Sequence, residues 1–292
     1  MEKAYINFKQ KRDFGEVINA TFAFIGQEFK PLGKAILFYV LPILIIASIL
    51  SMFVNIEQQK FLRSLRTENL GYTANPFTIL GNTYKYTALV FLVYLVAVSC
   101  LRCTIYGYIK VYIEKGKGQF TMEDVWTELK HFFLPVMGTS IVIGLLIFVG
   151  MIFCLVPGIW LGVSLSLIYI LMIYEGKGMG DAFNRSFNLT KQAWWITLAI
   201  ALVSYLIVYI ISIVLSLPGL IVGVTSAFTS IKNSKNPADM NFSTSFYILN
   251  SITQLITYLL FSIPFIAISF QYFNLLEMKE KPSLQEKIEQ IA

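Results

Sequence analysis

Four long stretches of this chain carry no charged residue: 35–54, 132–174, 193–231 and 242–276. Nothing else in the sequence constrains the fold as tightly. A helix that crosses a bilayer needs roughly 20 predominantly apolar residues, and the stretch 132–174 is long enough for two crossings. Charged residues make up only 14% of the 292-residue chain, and mean hydropathy is +0.66. A water-facing surface uses about 25% charged residues, so the expected fold is an all-α integral membrane bundle.

Six spans follow, at about 35–54, 86–108, 132–155, 158–174, 193–216 and 248–270, read as one membrane domain over 1–292. Pro42 is expected to kink the first span, and Val156-Pro157-Gly158 to reverse the chain between the third and fourth. Proline removes a helical N–H and crowds the preceding turn, and glycine permits a tight reversal. The fifth span is expected to end before Pro218-Gly219, and a long loop over 55–85 to join the first two. The charged start reads as part of the mature chain, not as a cleavable signal.

Lysine and arginine set the orientation. With the N-terminus inside, sixteen of the 23 fall on inner segments and six on outer ones, leaving Arg102 within the second span. Both termini are therefore expected in the cytoplasm. The net charge of +6 is then a basic inner boundary suited to anionic headgroups, and no basic run is dense enough for nucleic acid. Cys100, Cys103 and Cys154 read as small buried hydrophobes. Cys100 and Cys103 have CxxC spacing, but with His131 as the single histidine they do not suggest a metal site, and no cofactor is expected.

Short amphipathic helices are expected at the inner interface before spans one, three and five. The first carries the stripe Phe14, Val17, Ile18, Phe22, Ile25 and Phe29. The second opens on Thr121 as N-cap with Asp124 three residues on, a variant of the capping box, and presents Met122, Val125, Trp126, Leu129 and Phe133. The third follows Gly176–Asp181, which lacks the strand and the Gly-Lys-Ser/Thr ending of a phosphate loop. Its apolar face is Ala182, Phe183, Ser186, Phe187 and Thr190, Asp181 is placed to pair with Arg185, and Trp194 and Trp195 mark the headgroup level. Phe183, Phe187, Trp126, Trp194 and Trp195 are the expected surface anchors. A threefold unit of surface helix plus two spans accounts for the layout.

Pro157-Gly158-Ile159-Trp160, Glu175, Asp181-Ala182, Arg185-Ser186, Leu189, Trp195 and the tail over 272–291 resemble the pattern of a bacterial polytopic membrane-domain family. Some of its members are fused to glycerophosphodiester phosphodiesterases, and many stand alone with no known activity. The resemblance implies a six-span bundle in the bacterial inner membrane. It brings no activity, because the phosphodiesterase chemistry belongs to a separate soluble barrel.

Arg102 is the one charge well within a span, and such a charge is a functional candidate by default. Snorkelling toward the inner boundary, or a structural pairing, is nevertheless the expected role, ahead of ligand binding or transport. Glu175 is the expected partner, with Asp181 and Asp124 next. Asn250, Thr253, Gln254 and Thr257 of the sixth span are expected to hydrogen-bond between helices; Thr139, Ser140, Ser164 and Ser166 are open to the same reading. Three functions compete: a non-catalytic protein that binds lipids or another membrane protein as scaffold or accessory subunit, a transporter of a small or amphipathic solute, and an intramembrane enzyme. The first is the expected one. The third lacks an evident nucleophile and base.

Overall fold

The computed structural model describes residues 5–67, 76–234 and 242–281. They form ten helices and, among the described residues, no strand: α1 Phe14–Tyr39, α2 Leu41–Thr67, α3 Pro76–Lys115, α4 Met122–Phe153, α5 Leu155–Ser164, α6 Ile168–Tyr174, α7 Met179–Thr190, α8 Trp194–Ser234, α9 Thr244–Leu260 and α10 Ser262–Lys279. Six segments are long and apolar enough to cross a membrane: Leu41–Gln59, Tyr84–Lys115, Met122–Phe153, Leu155–Tyr174, Trp194–Lys232 and Thr244–Lys279. The protein is an all-α six-span membrane bundle.

The helix ends correct several expected boundaries. Pro42 does not kink a span; it lies in the first turn of α2, after a break at Val40. Proline is tolerated there because the first N–H groups of a helix have no intrahelical partner. Residues 35–39 thus belong to α1. Much of the expected outer loop is helix, since α2 runs to Thr67 and α3 begins at Pro76; residues 68–75 lie outside the described part. The fifth span does not stop before Pro218: α8 continues through it to Ser234. The surface element before span three is not separate, because α4 runs unbroken through Pro135. The sixth span is two helices broken at Phe261, and the second extends to Lys279.

The α4–α5 reversal sits at Cys154, whose backbone is extended and which is itself exposed, not buried. Gly158 has a different task from the expected one. A Cβ placed on it would stand 2.4 Å from Met151 Cγ and 3.1 Å from the Met151 amide, and one on Gly150 would meet the Gly158 backbone at 3.2 Å. The two glycines let α4 and α5 approach backbone to backbone, as small residues do between membrane helices.

Two compact units are distinguished, the first from Met1–Val40, Val98–Val208 and Phe261–Ala292, the second from Leu41–Ala97 and Tyr209–Leu260. In the first unit α10 is the central helix, buried from Ile263 through Glu277. A helix buried on all sides must satisfy its own polar groups. Gln271 donates to Thr197 Oγ1 at 3.0 Å, and Asn274 donates to Gln271 at 3.2 Å while its Oδ1 accepts the Arg12 amide at 2.9 Å. The N-terminal segment packs here as well: Phe8 is fully buried, stacked on Phe270 at 4.2 Å and edge-on to Phe24 and Phe273.

The second unit is held by hydroxyl and amide contacts between its own helices. Ser51 donates to Gln254 at 3.1 Å, Thr253 to the Leu215 carbonyl at 3.2 Å and Thr257 to Ser212 at 3.0 Å. These match the interhelical role expected of the polar residues in the sixth span. Tyr94 stacks on Tyr258 at 4.4 Å.

Candidate functional site

The candidate residues gather in the first unit, around two arginines with opposite surroundings. The first is built by α6, α7 and α10. Glu175 caps the end of α6, and Gly176, with φ +66°, turns the chain toward Gly178, the N-cap of α7. From α7, Arg185 Nε lies 2.6 and 2.8 Å from the two Glu175 oxygens. Its Nη1 and Nη2 fork onto Glu280 at 2.9 and 3.0 Å. Tyr272 of α10 donates to Glu175 at 2.7 Å, and Lys177 approaches the same carboxylate at 3.7 Å. Above all Glu280, and after it Glu175, hold the Arg185 proton more tightly than water does, against the opposing effect of burial. Arg185 thus ties the ends of α6 and α10 to the middle of α7, with all three nitrogens occupied. The expected pairing of Asp181 with Arg185 does not form: Asp181 is exposed, with no ion-pair partner among the described residues.

The inward face of α7 is small and polar. Ala182, Ser186, Leu189 and Thr190 are buried, and they meet an interruption of the fourth span at residues 165–167. There the Ile168 amide bonds back to Leu165, which leaves the Ser164 carbonyl without its helical donor. The Ser186 hydroxyl supplies one at 2.6 Å, while the Thr190 hydroxyl donates to the Ser186 carbonyl at 2.8 Å. A backbone carbonyl freed in hydrocarbon demands such a partner. The outward face of α7 is aromatic and amide. Phe183 and Phe187 are half-buried, with Phe187 5.2 Å from Trp160, while Asn184 and Asn188 are exposed. Beside them a cleft of about 310 Å³ is lined by Lys177, Asp181, Asn184, Asn188, Lys279 and neighbours. Trp195 is 76% exposed and meets Trp194 edge-on; Trp194 Nε1 is buried without an acceptor among the described residues.

Asp124 belongs elsewhere in this unit. It closes the capping box with Thr121 at the start of α4, as its position suggests, and pairs with Lys115 at 2.7 Å. Trp126 stacks on Tyr39 at 5.1 Å with Lys130 over its ring. A second cleft, of about 350 Å³, opens between α1 and the turn before α4, and Glu28 lies in its wall. Glu28 is 3% exposed and accepts from Tyr108 at 2.6 Å and from Gln27 at 3.3 Å.

The second arginine is Arg102 of α3, and it does not meet Glu175. Its Nη1 donates to Ser140 Oγ at 2.9 Å, and its guanidinium carbon lies 4.3 Å from the Tyr169 ring centre and 5.3 Å from that of Phe265. Cation–π contacts with rings supply part of the missing solvation. Nε is buried with no hydrogen-bond partner, and among the described residues no carboxylate lies within 4 Å. The side chain lies among α4, α6 and α10. A lone arginine near the centre of a membrane span costs about 2.5–3.5 kcal/mol on insertion scales.

The sequence names both arginines and Glu175. It misses Glu280, Tyr272, Tyr169 and Phe265 as their immediate surroundings, reads Ser140 only as an ambiguous polar residue, and misses the buried Glu28 of the second cleft. Neither a protein-family model, nor a curated protein, nor a solved structure matches the chain.

Proposed function

We propose that this is a non-catalytic membrane protein that binds anionic lipid, or another membrane protein, as a scaffold or accessory subunit. It resides in the bacterial inner membrane with both termini cytoplasmic, as the asymmetry of basic residues and the family resemblance suggest. The observation that carries this reading is α7. Its inner face closes the fourth span, its guanidinium is neutralised by Glu175 and Glu280, its outward side carries the half-buried Phe183 and Phe187, and a separate cleft is lined by Lys177 and Lys279 together with Asp181 and Glu280. Half-buried aromatics and surface lysines suit the acyl–headgroup boundary and its anionic lipids.

The test is native mass spectrometry of the protein extracted gently from bilayers of phosphatidylcholine and phosphatidylglycerol. Phosphatidylglycerol should be enriched, and Lys177→Gln with Lys279→Gln should reduce that enrichment by up to roughly fivefold per lysine, the effect of about 1 kcal/mol per basic residue near the surface. Unchanged enrichment in the double variant removes the lipid arm. A stoichiometric protein retained through purification supports the accessory-subunit arm.

Transport of a small or amphipathic solute is the second reading. It is favoured by the interrupted fourth and sixth spans and by the hydroxyl-bearing Ser48, Ser51 and Tyr94 buried within the second unit. Broken helices often surround solute sites in transporters. Uptake into proteoliposomes that Tyr94→Phe abolishes without unfolding the protein would select it.

A further inference from the structure

We infer that the Arg102 niche is a binding site for a phosphate group within the membrane, brought either by a lipid or as the free ion. This deepens the lipid-binding reading and rests on it only for the lipid source. Arg102 lies eight residues before Lys110, about 12 Å along α3, and Lys110 belongs to the inner ionic layer through its 2.9 Å pair with Glu128. The guanidinium therefore stands inside the hydrocarbon, whose thickness is about 30 Å.

Its donors are divided unevenly. Nη1 is committed to Ser140, while the opposite edge, Nε with Nη2, has no hydrogen-bond acceptor among the described residues. That edge is the fork with which arginine takes two oxygens of a phosphate side by side. The surroundings are tyrosine and phenylalanine rings, and among the described residues no acid lies within ion-pair distance. Tyr106, four residues on, shares a face of α3 with Arg102, and Tyr205 of α8 lies within reach of its charge, as does Tyr169 through its ring. A phosphate there would complete a charge that the chain itself leaves open. Nε is sealed beneath its neighbours, so an oxygen reaches it when a covering ring rotates aside.

The experiment follows thermal unfolding of the full chain in maltoside detergent, with dodecyl phosphate, dodecanol and inorganic phosphate as probes. Dodecyl phosphate should raise Tm well beyond dodecanol of the same chain length. Arg102→Met should weaken its apparent affinity by at least about tenfold, and Arg102→Lys by less, because lysine keeps the charge and loses the fork. Arg102→Gln replaces the methionine variant if that one does not fold. A shift with dodecyl phosphate alone assigns the phosphate to a lipid; an equal shift with inorganic phosphate assigns it to the free ion. The site is overturned if dodecyl phosphate does no more than dodecanol, or if a folded Arg102→Met or Arg102→Gln protein responds as the wild type does. Lys177→Gln with Lys279→Gln should leave the shift intact, so the failure of the α7 surface and the failure of this niche read out separately.

Discussion

Arg185 and Arg102 stand in the same unit, and their surroundings could hardly differ more. Arg185 directs every guanidinium nitrogen at a carboxylate, one of them supported by Tyr272. Arg102 has one serine, two ring faces and an unpartnered Nε. The difference comes from where acids exist in the chain. Glu175 and Glu280 sit just past the ends of α6 and α10, where apolar runs stop. Every element around Arg102 comes from a charge-free run: Ser140 and Tyr169 from 132–174, Tyr205 from 193–231, Phe265 from 242–276. An arginine at a span end finds acids; one inside the bundle finds none. The first is a structural tie, the second an open charge.

That contrast sets the order of expected mutational effects. Arg185→Met should be the most damaging, at about 3 kcal/mol by thermal unfolding in detergent, because it strands the half-buried Glu175. Adding Glu175→Leu should restore much of the loss; a neutral Arg185→Met would reduce the knot to a surface contact. Tyr272→Phe comes next at about 1.5 kcal/mol, the lower end for a hydrogen bond to a charged group. Ser140→Ala should cost about 1 kcal/mol by removing the one side-chain acceptor that Arg102 has. Glu280→Gln should cost about 0.2–1 kcal/mol, since the Glu280 side chain is 45% exposed and exposed pairs contribute little.

Arg102→Met belongs at the bottom of the series. Replacing an uncompensated buried charge by an apolar side chain of similar length is often neutral or stabilising, so a change below about 0.5 kcal/mol is expected. Arg102→Met and Glu175→Leu should also add without coupling, as sites without shared partners do. A measured coupling above about 1 kcal/mol between them would restore the pairing that the sequence first suggests and erase the contrast.

Much of the fold was legible because a bilayer enforces simple rules. The charge-free runs announce six crossings, since backbone polar groups in hydrocarbon must be paired within a helix. The start of α4 was legible from Thr121 and Asp124 because a capping box is a local contact four residues long. The helix over Met179–Thr190 was legible from its amphipathic spacing. Two boundaries misled for one reason: Pro218 and Pro157 read as stops, but a proline inside a packed membrane helix, or within its first turn, is tolerated.

The stripe before span one shows the limit of periodicity. Val17 of the expected set is buried, but Phe22 and Phe29 are exposed, while Thr21, Phe24 and Glu28 face the interior. Both faces of α1 are rich in apolar residues, so spacing alone could not say which one meets α10. Partners 95 residues apart, Arg185 and Glu280, or 80 apart, Glu28 and Tyr108, leave no local trace either.

By itself, then, the sequence determined what the solvent demands: the all-α class, the number of crossings, the local caps, and an arginine inside a span. Tertiary structure decided which groups meet. It tied Arg185, rather than Arg102, to Glu175, and it used the Ser186 hydroxyl of α7 to occupy the carbonyl opened by the break in span four. The physical reason is that membrane insertion depends on the summed transfer energies of contiguous residues, which a linear chain displays openly. Pairing depends on side chains brought within 3 Å by helix packing, and that distance is set only when the whole unit has closed.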